Sequence, residues 1–418
     1  MTAGAPELPG ARIDAAGTAG APELPGARID AAGAPLEVEL GDLGLDEGAH
    51  LVLKRALANS AAIIVRGTSP TLAVDLPAWC RGHGHGCARS GDAFAITRGP
   101  DRWPGAERAG TVAAPVEHAP ARWGIAARGA LVEAGAPDFA LPLADRSAVW
   151  ADEAARLYAQ AAAAQWDPAT AIPWDAPIDH PPEVEDAIVQ VMTYLIENET
   201  AALLVPARFL GKLHPHFREV MQLLAIQAAD EARHIEVFTR RARVRRDQLG
   251  VSTAGGQASL ATLFEPPEFA IASFLLSVLG EGSFLSLLWF LHAHAPDACT
   301  REVARLAAQD EARHVAFGLA HLQRHVAEDP ALRDRLAAAI ERRHGALAHT
   351  SGLNAEVFDA LVLLAAGGWQ PAALRAGHAA VVALSREMHH GRHARLVRLG
   401  FAPDAADALA ALHTRNFM

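Results

Sequence analysis

Apolar positions recur every three to four residues through four long segments, at about 183–207, 214–247, 267–293 and 298–327. That spacing lays apolar side chains along one face of an α-helix. Short connections between the first and second segments, and between the third and fourth, make each pair an antiparallel hairpin. More helix is expected at 331–343, 355–364, 371–388 and 404–412. Ahead of the helices the pattern is different. Residues 36–40 alternate as a strand, 50–59 are helical, and 61–65 read as a buried strand. Ser69 is placed to cap a second helix with Pro70 at its first position, and Gly91-Asp92 separates two short final strands, the last at 93–97. The pattern therefore predicts a mainly α fold: a four-helix bundle with extra C-terminal helices, plus a small N-terminal α/β domain of βαβαββ order.

Two of the long apolar stripes carry a glutamate. Glu199 shares its helix face with Met192, Leu195 and Ala202, and Glu281 lies among Phe274, Val278, Phe284 and Leu288. Glu197 competes with Glu199, but two residues along a helix means roughly 200° around it. Glu197 falls with Gln190, Thr193 and Thr200, so it stands as the alternative. The other two long segments share one five-residue motif, Asp230-Glu231-Ala232-Arg233-His234 and Asp310-Glu311-Ala312-Arg313-His314. Residues three apart on a helix face the same way, with Cβ atoms roughly 5–6 Å apart. Two Glu-x-x-His pairs and two lone glutamates, each on its own helix, form the donor set of a carboxylate-bridged dinuclear site. The alternative for any one of these acids is a buried ion pair; repetition at matched spacing favours the metal. Metal-bound imidazoles usually donate their second N–H to a carboxylate. A crossed arrangement is expected, Asp230 to His314 and Asp310 to His234, with Arg233 and Arg313 pairing to those aspartates or standing as surface ion pairs.

The region from about 150 to 327 resembles the ferritin-like di-iron carboxylate superfamily. That resemblance implies Glu199, Glu231, His234, Glu281, Glu311 and His314 as ligands, two iron ions as cofactor (with Mn–Fe or Mn–Mn as alternatives), and a ferritin-like bundle. Members include bacterioferritins, rubrerythrins, desaturases, monooxygenases, ribonucleotide reductase small subunits and arylamine N-oxygenases. Rubrerythrin's Cys-x-x-Cys pairs are absent, the N-oxygenases' extra histidine is replaced by Ala307, and Tyr194 is turned away from Glu199. The reading is a di-iron oxidoreductase that activates O2 to oxygenate, desaturate or N-oxygenate a small organic substrate, with an unidentified electron donor. The alternatives are a ferroxidase or peroxide scavenger, and a non-enzymatic metal-binding partner of a sulfur relay.

The N-terminal α/β stretch resembles the TusA-like sulfur-carrier domain through Gly44-Leu45, Ser69-Pro70 and Asp75–Cys80. Where that family carries its Cys-Pro pair this chain has Glu47-Gly48, so persulfide transfer there is not expected and a docking or gating module is. Cys80, His83, His85 and Cys87 match no standard zinc spacing. His389, His390 and His393 are expected on a solvated face near a helix end.

Composition narrows the partners. A net charge of −11 with lysine only at Lys54 and Lys212 leaves no basic face for nucleic acid. The three cysteines make no disulfide framework, which with the absence of a signal-like start predicts a cytoplasmic protein. The apolar stretch 269–291 has the length of a membrane span, but Glu281 at its centre argues for a bundle helix. The expected organisation is a leader over 1–35 built on a tandem repeat (2–17 returning unchanged at 18–33), the α/β domain over 36–99, a linker or hairpin over 100–149, and the helical domain over 150–418. The C-terminal extension is expected to wall a substrate pocket or form a homodimer face.

Overall fold

The structure, a computed structural model, describes residues 35–100, 103–348 and 355–412; the tandem repeat lies outside them. The chain divides between Ala106 and Glu107 into two units.

In the first unit β1 (Leu36–Glu39), α1 (Ala49–Asn59) and β2 (Ala62–Arg66) make a parallel βαβ crossover, then α2 (Leu72–Gly82), β3 (Gly86–Ser90) and β4 (Ala93–Thr97) follow. The sheet order is β1-β2-β4-β3, with β4 antiparallel to both neighbours. Alternate strand residues Ile63, Val65 and Ile96 face Leu53, Leu76 and Cys80 in one core. Helix α2 starts later than the Ser69-Pro70 signal predicts. The Leu72 N–H donates to the Ser69 carbonyl at 3.1 Å, and no side chain caps the helix, so Ser69 and Pro70 form a turn ahead of it. At the position of the absent Cys-Pro pair, the Glu47 carboxylate accepts the Gly44 N–H at 3.0 Å. Cys80 is wholly buried, and burial pushes its thiol up to about 12. The His83 Nδ1 meets the Trp79 carbonyl, and His85 accepts the Gly99 N–H. None of the four Cys and His residues belongs to a group of converging metal donors among the described residues.

The second unit takes in most of the segment expected as a linker or hairpin, which is largely exposed but anchored at a few buried points such as Ala109, Ala119 and Trp123. Strands β5 (Glu107–Arg108) and β6 (Leu131–Val132) pair as a short ribbon. Buried Arg128 forms an ion pair with Glu219, and the Val116 N–H donates to His216 Nε2 at 3.0 Å. Helices α3 (Arg146–Val149) and α4 (Ala154–Ala163) lead to the bundle.

The bundle consists of α5 (Pro182–Leu210), α6 (Arg218–Ala242), α8 (Phe269–His294) and α9 (Ala298–Glu328), with the short α7 (Ala254–Phe264) crossing between the two hairpins. Pro182 starts α5, where a missing N–H costs nothing. Asp297 caps α9 by accepting the Thr300 N–H at 2.7 Å. Helix α8 departs from the uninterrupted α pattern expected of it: Phe274–Glu281 is wound as π-helix. It is apolar all round, so its periodicity gives no sign of the wider turns. The helices α5 and α8 are both long and apolar enough to cross a bilayer, but their apolar windows are 67% and 83% buried within the protein.

One charged network ties the bundle's far end together. Fully buried Arg241 donates to Glu185 at 2.8 and 3.0 Å and to Asp297 at 2.8 Å, and His180 adds to Glu185 at 2.7 Å. Removing one partner strands an uncompensated buried charge, at a cost of about 3–5 kcal/mol. Arg241→Ala is therefore expected to lower unfolding stability by about that amount in a denaturant titration; a loss of under about 1 kcal/mol, the value of an exposed pair, contradicts this.

Helices α10 (Leu332–Leu347), α11 (Ala355–Ala366), α12 (Pro371–Arg398) and α13 (Pro403–Ala411) complete the unit. Helix α12 runs through Gly391 for ten residues past the expected end at 388. His389, His390 and His393 therefore sit mid-helix, where the terminal dipole gives them nothing, and His389 meets Asp407 of α13 at 3.2 Å.

Candidate metal centre

Each bundle helix brings its acidic position to the interior. Glu199 comes from α5, Glu231 and His234 from α6, Glu281 from the last π turn of α8, and Glu311 and His314 from α9. None of the six is more than 5% exposed. Glu197 is half-buried and belongs to neither group of converging donors.

Two such groups form among the described residues. One is Glu199, Glu231, His234 and Glu311; the other is Glu231, Glu281, Glu311 and His314; within each, donor atoms lie within 4.8 Å of one another. Glu231 and Glu311 belong to both. With that overlap, Glu231 and Glu311 would be the residues shared between two ions, and Glu199 and Glu281 would each serve one.

The imidazoles are oriented by what holds their outer nitrogens. His234 Nε2 lies 3.2 Å from Asp310 Oδ2, and His314 Nε2 lies 3.3 Å from Asp230 Oδ2, so the crossed contacts are within hydrogen-bonding range. Each Nδ1 then points inward: His234 Nδ1 is 3.1 Å from Glu231 and 3.5 Å from Glu311, and His314 Nδ1 is 3.0 Å from Glu231 and 3.4 Å from Glu311. The two aspartates are themselves pinned. Arg233 donates to Asp230 at 2.6 Å and to Asp310 at 2.8 Å, and Arg313 pairs with Asp310. Arg233 and Arg313 are thus tied into the interior network and are not surface pairs.

Three partners lie outside the expected set. Gln165 donates to Asp230 at 2.8 Å, Trp166 Nε1 donates to Asp310 at 2.8 Å, and the Arg233 guanidinium stacks over Trp166 at 4.6 Å. Gln227 donates to Glu281 at 3.2 Å. Gln227 had a legible signal, being one turn before Glu231 on the same face; the Gln165-Trp166 pair approaches from a distant stretch that only the fold brings close.

The electrostatics of the centre are unbalanced without cations. Burial, then the charges of Glu311 and Glu231, push Glu199 and Glu281 well above the usual carboxylate range. Burial acts on Glu231 too, but His314 and His234 outweigh it and hold that carboxyl low. Several inward carboxylate oxygens lack any hydrogen-bond partner, Glu199 Oε1, Glu281 Oε2 and Glu311 Oε2, while Glu231 Oε1 and His314 Nδ1 meet each other at 3.0 Å. Buried polar atoms are rarely left without a partner. Four carboxylates balance the charge of two divalent ions, and the converging atoms are oxygen and imidazole donors, so the residues fit a pair of divalent transition ions.

Beside the glutamates lies a small cleft of about 20 Å³. Glu199, Glu281 and Glu311 form its floor, with Ala202, Leu263, Leu276 and Phe284 around them.

Asp310→Asn keeps the shape but removes the charge that orients His234. Loss of such a partner typically weakens metal affinity 10–100-fold. Competition with a chelator of known affinity is expected to show a drop in that range; an unchanged affinity contradicts the orienting role.

No family model matches the chain, and no curated protein matches it. Solved structures do. A mutant R2-like ligand-binding oxidase with aerobically reconstituted Mn/Fe cofactor superposes with TM-score 0.44 at 16% identity, over 61% of this chain and 92% of that one. Another mutant prepared the same way gives 0.46 at 18%, over 59% and 92%. A third, reconstituted anaerobically, gives 0.44 at 18%, over 61% and 93%.

Proposed function

We propose that the bundle binds two divalent transition ions, iron or manganese, and uses them in an O2-dependent oxidation of a small organic substrate. The observation that carries this reading is the set of buried donor atoms on four separate helices, shared as two overlapping groups through Glu231 and Glu311. When bound, the ion pair supplies the redox chemistry with O2 that no amino-acid side chain can. The chain's own residues do the rest. Glu199, Glu231, Glu281, Glu311, His234 and His314 fix the ions, Asp230 and Asp310 hold the imidazole rings in one tautomer, and the packed bundle keeps bulk water out. Leu263, Leu276 and Phe284 give the small cleft on the glutamate side an apolar lining.

Inserting one oxygen atom into a C–H or N–H bond while the other leaves as water takes two electrons and two protons beyond those of the substrate. An external reductant, supplied by a partner protein or small electron carrier, therefore belongs to this reading. The α/β unit, without a thiol at its first helix, is proposed as a docking or gating module.

The test is anaerobic loading with iron(II) followed by a limiting O2 pulse. The proposal predicts that iron oxidation stops at the bound pair, and that continued turnover requires reductant together with an organic substrate. Oxidation of iron far in excess of the bound pair, with ferric mineral accumulating, contradicts it and identifies a ferroxidase.

A further inference from the structure

The α/β unit has no thiol at its first helix, yet its own fold brings two others together. Strand register places them. Leu36 of β1 pairs with Ile63 of β2, Ile63 with Ile96 of β4, and Ile96 with Cys87 of β3. Residues directly opposite one another on paired strands share a face of the sheet. Ile63 and Ile96 lie in the core with Leu76 and Cys80 of α2, so Cys87 ends that row on the side the helix covers, half-buried at the margin of the same core. The turn after α2 is tied back toward the helix, the His85 N–H donating to the Cys80 carbonyl at 2.9 Å. The two sulfurs meet there. The Cys80 and Cys87 side chains are hydrogen-bonded to each other, and both are free thiols.

A buried cysteine on its own is a small hydrophobe. Two in contact, one sealed and one reachable, have further chemistry. Cys80 is wholly buried, and burial first, then Cys87, keeps its thiol protonated at neutral pH, so it does not meet an external reagent. Cys87 stands on the edge strand β3 and is the member a small oxidant can reach. The turn between them can give: Gly82, Gly84 and Gly86 alternate with His83 and His85, and Gly84 already takes φ 67°. The two histidines are engaged elsewhere, His83 Nδ1 with the Trp79 carbonyl and His85 Nδ1 with the Gly99 N–H.

We propose that Cys80 and Cys87 form a reversible redox dithiol, closed to a disulfide by exchange with a small-molecule disulfide. Cys87, as its thiolate, attacks one sulfur of the small disulfide, forming a mixed disulfide and expelling one thiolate. Cys80, giving up its proton, then attacks Sγ of Cys87 and expels the second. The two expelled thiolates take up the two protons, so the protein loses two electrons and two protons and the small disulfide leaves as two thiols. The site lies within the α/β unit and does not depend on what the metal centre does.

The test is equilibration of the full, reduced, metal-loaded chain without O2 in glutathione buffers of rising disulfide content, then alkylation in denaturant and mass spectrometry. Trypsin cuts after Arg81, between the two cysteines, so the bond shows as peptides 67–81 and 82–89 linked together. The linked pair is expected to accumulate as the intact chain loses two hydrogen masses, and dithiothreitol is expected to restore both thiols. Cys80→Ala leaves the reachable thiol without its partner and is expected to carry at least about tenfold more glutathione on Cys87 than the parent does. Cys87→Ala is expected to leave Cys80 reduced at every ratio. The proposal is overturned if the parent keeps both thiols reduced across the series, if it holds glutathione on Cys87 with no linked peptides, or if Cys87 bridges two chains instead. All three are read on the parent, whose folding no substitution disturbs. Glutathione on Cys80 in the Cys87→Ala chain equally overturns it, because the sealed thiol is then reachable without its neighbour.

Discussion

A Glu231→Ala chain is expected to retain neither metal ion after purification and desalting, whereas Glu199→Ala retains one. The asymmetry follows from which donors are shared. Glu231 reaches both imidazole nitrogens, at 3.1 Å from His234 and 3.0 Å from His314, and belongs to both donor groups; Glu199 belongs to one. Without Glu231 each ion keeps only three of its protein donors and shares a single bridge through Glu311. The two positive charges then face each other with one carboxylate fewer between them. Deleting Glu199 leaves the group of Glu231, Glu281, Glu311 and His314 whole. Elemental analysis of the two variants beside the parent decides the point. If Glu231→Ala holds one ion as firmly as Glu199→Ala does, Glu231 is not a bridge.

Stripping the metal should also lower thermal stability sharply. A ligand that binds only the folded chain stabilises it by about 4.1 kcal/mol per site when present at 1,000 times its dissociation constant. For a domain of 150–250 residues each kcal/mol moves Tm by about 2–4 °C. Two ions held at that strength or tighter therefore raise Tm by about 16 °C or more. The physical source is local: four carboxylates packed together repel one another, and burial already forces Glu199 and Glu281 toward their neutral forms. Glu281→Gln removes one of those acids. It is expected to raise the Tm of chelated protein while shrinking the gain on adding metal. Scanning calorimetry with and without chelator measures both; equal Tm values in the two conditions contradict a metal-dependent fold.

The six candidate ligands were legible because their chemistry clashes with their surroundings. A glutamate in an apolar stripe, as at Glu199 and Glu281, has no cheap structural explanation, and the repeated Asp-Glu-Ala-Arg-His spacing ties His234 and His314 to the same face as their acids. The βαβαββ order was legible from strand alternation, and the bundle from helical periodicity. What stayed hidden depends on contacts between distant stretches. Gln165 and Trp166 reach Asp230 and Asp310 across gaps of 65 and 144 residues, and neither residue type announces such a role. The π segment of α8 is invisible because every side chain from Phe274 to Glu281 is buried, leaving no polar face to reveal the period. Helix α12 carries on past Gly391, and Arg395 packs over the space its missing side chain leaves. Arg392 looks like a surface residue in an arginine-rich stretch; it is buried beside Leu279 of α8 and Leu409 of α13, which no local pattern records.

The most direct test of the central claim is anomalous diffraction from crystals of metal-loaded protein, collected at the absorption edges of iron and manganese. The account predicts two peaks about 3.5–4 Å apart, between Glu231 and Glu311, one nearer His234 and the other nearer His314. A single peak, or ions bound away from these side chains, contradicts it.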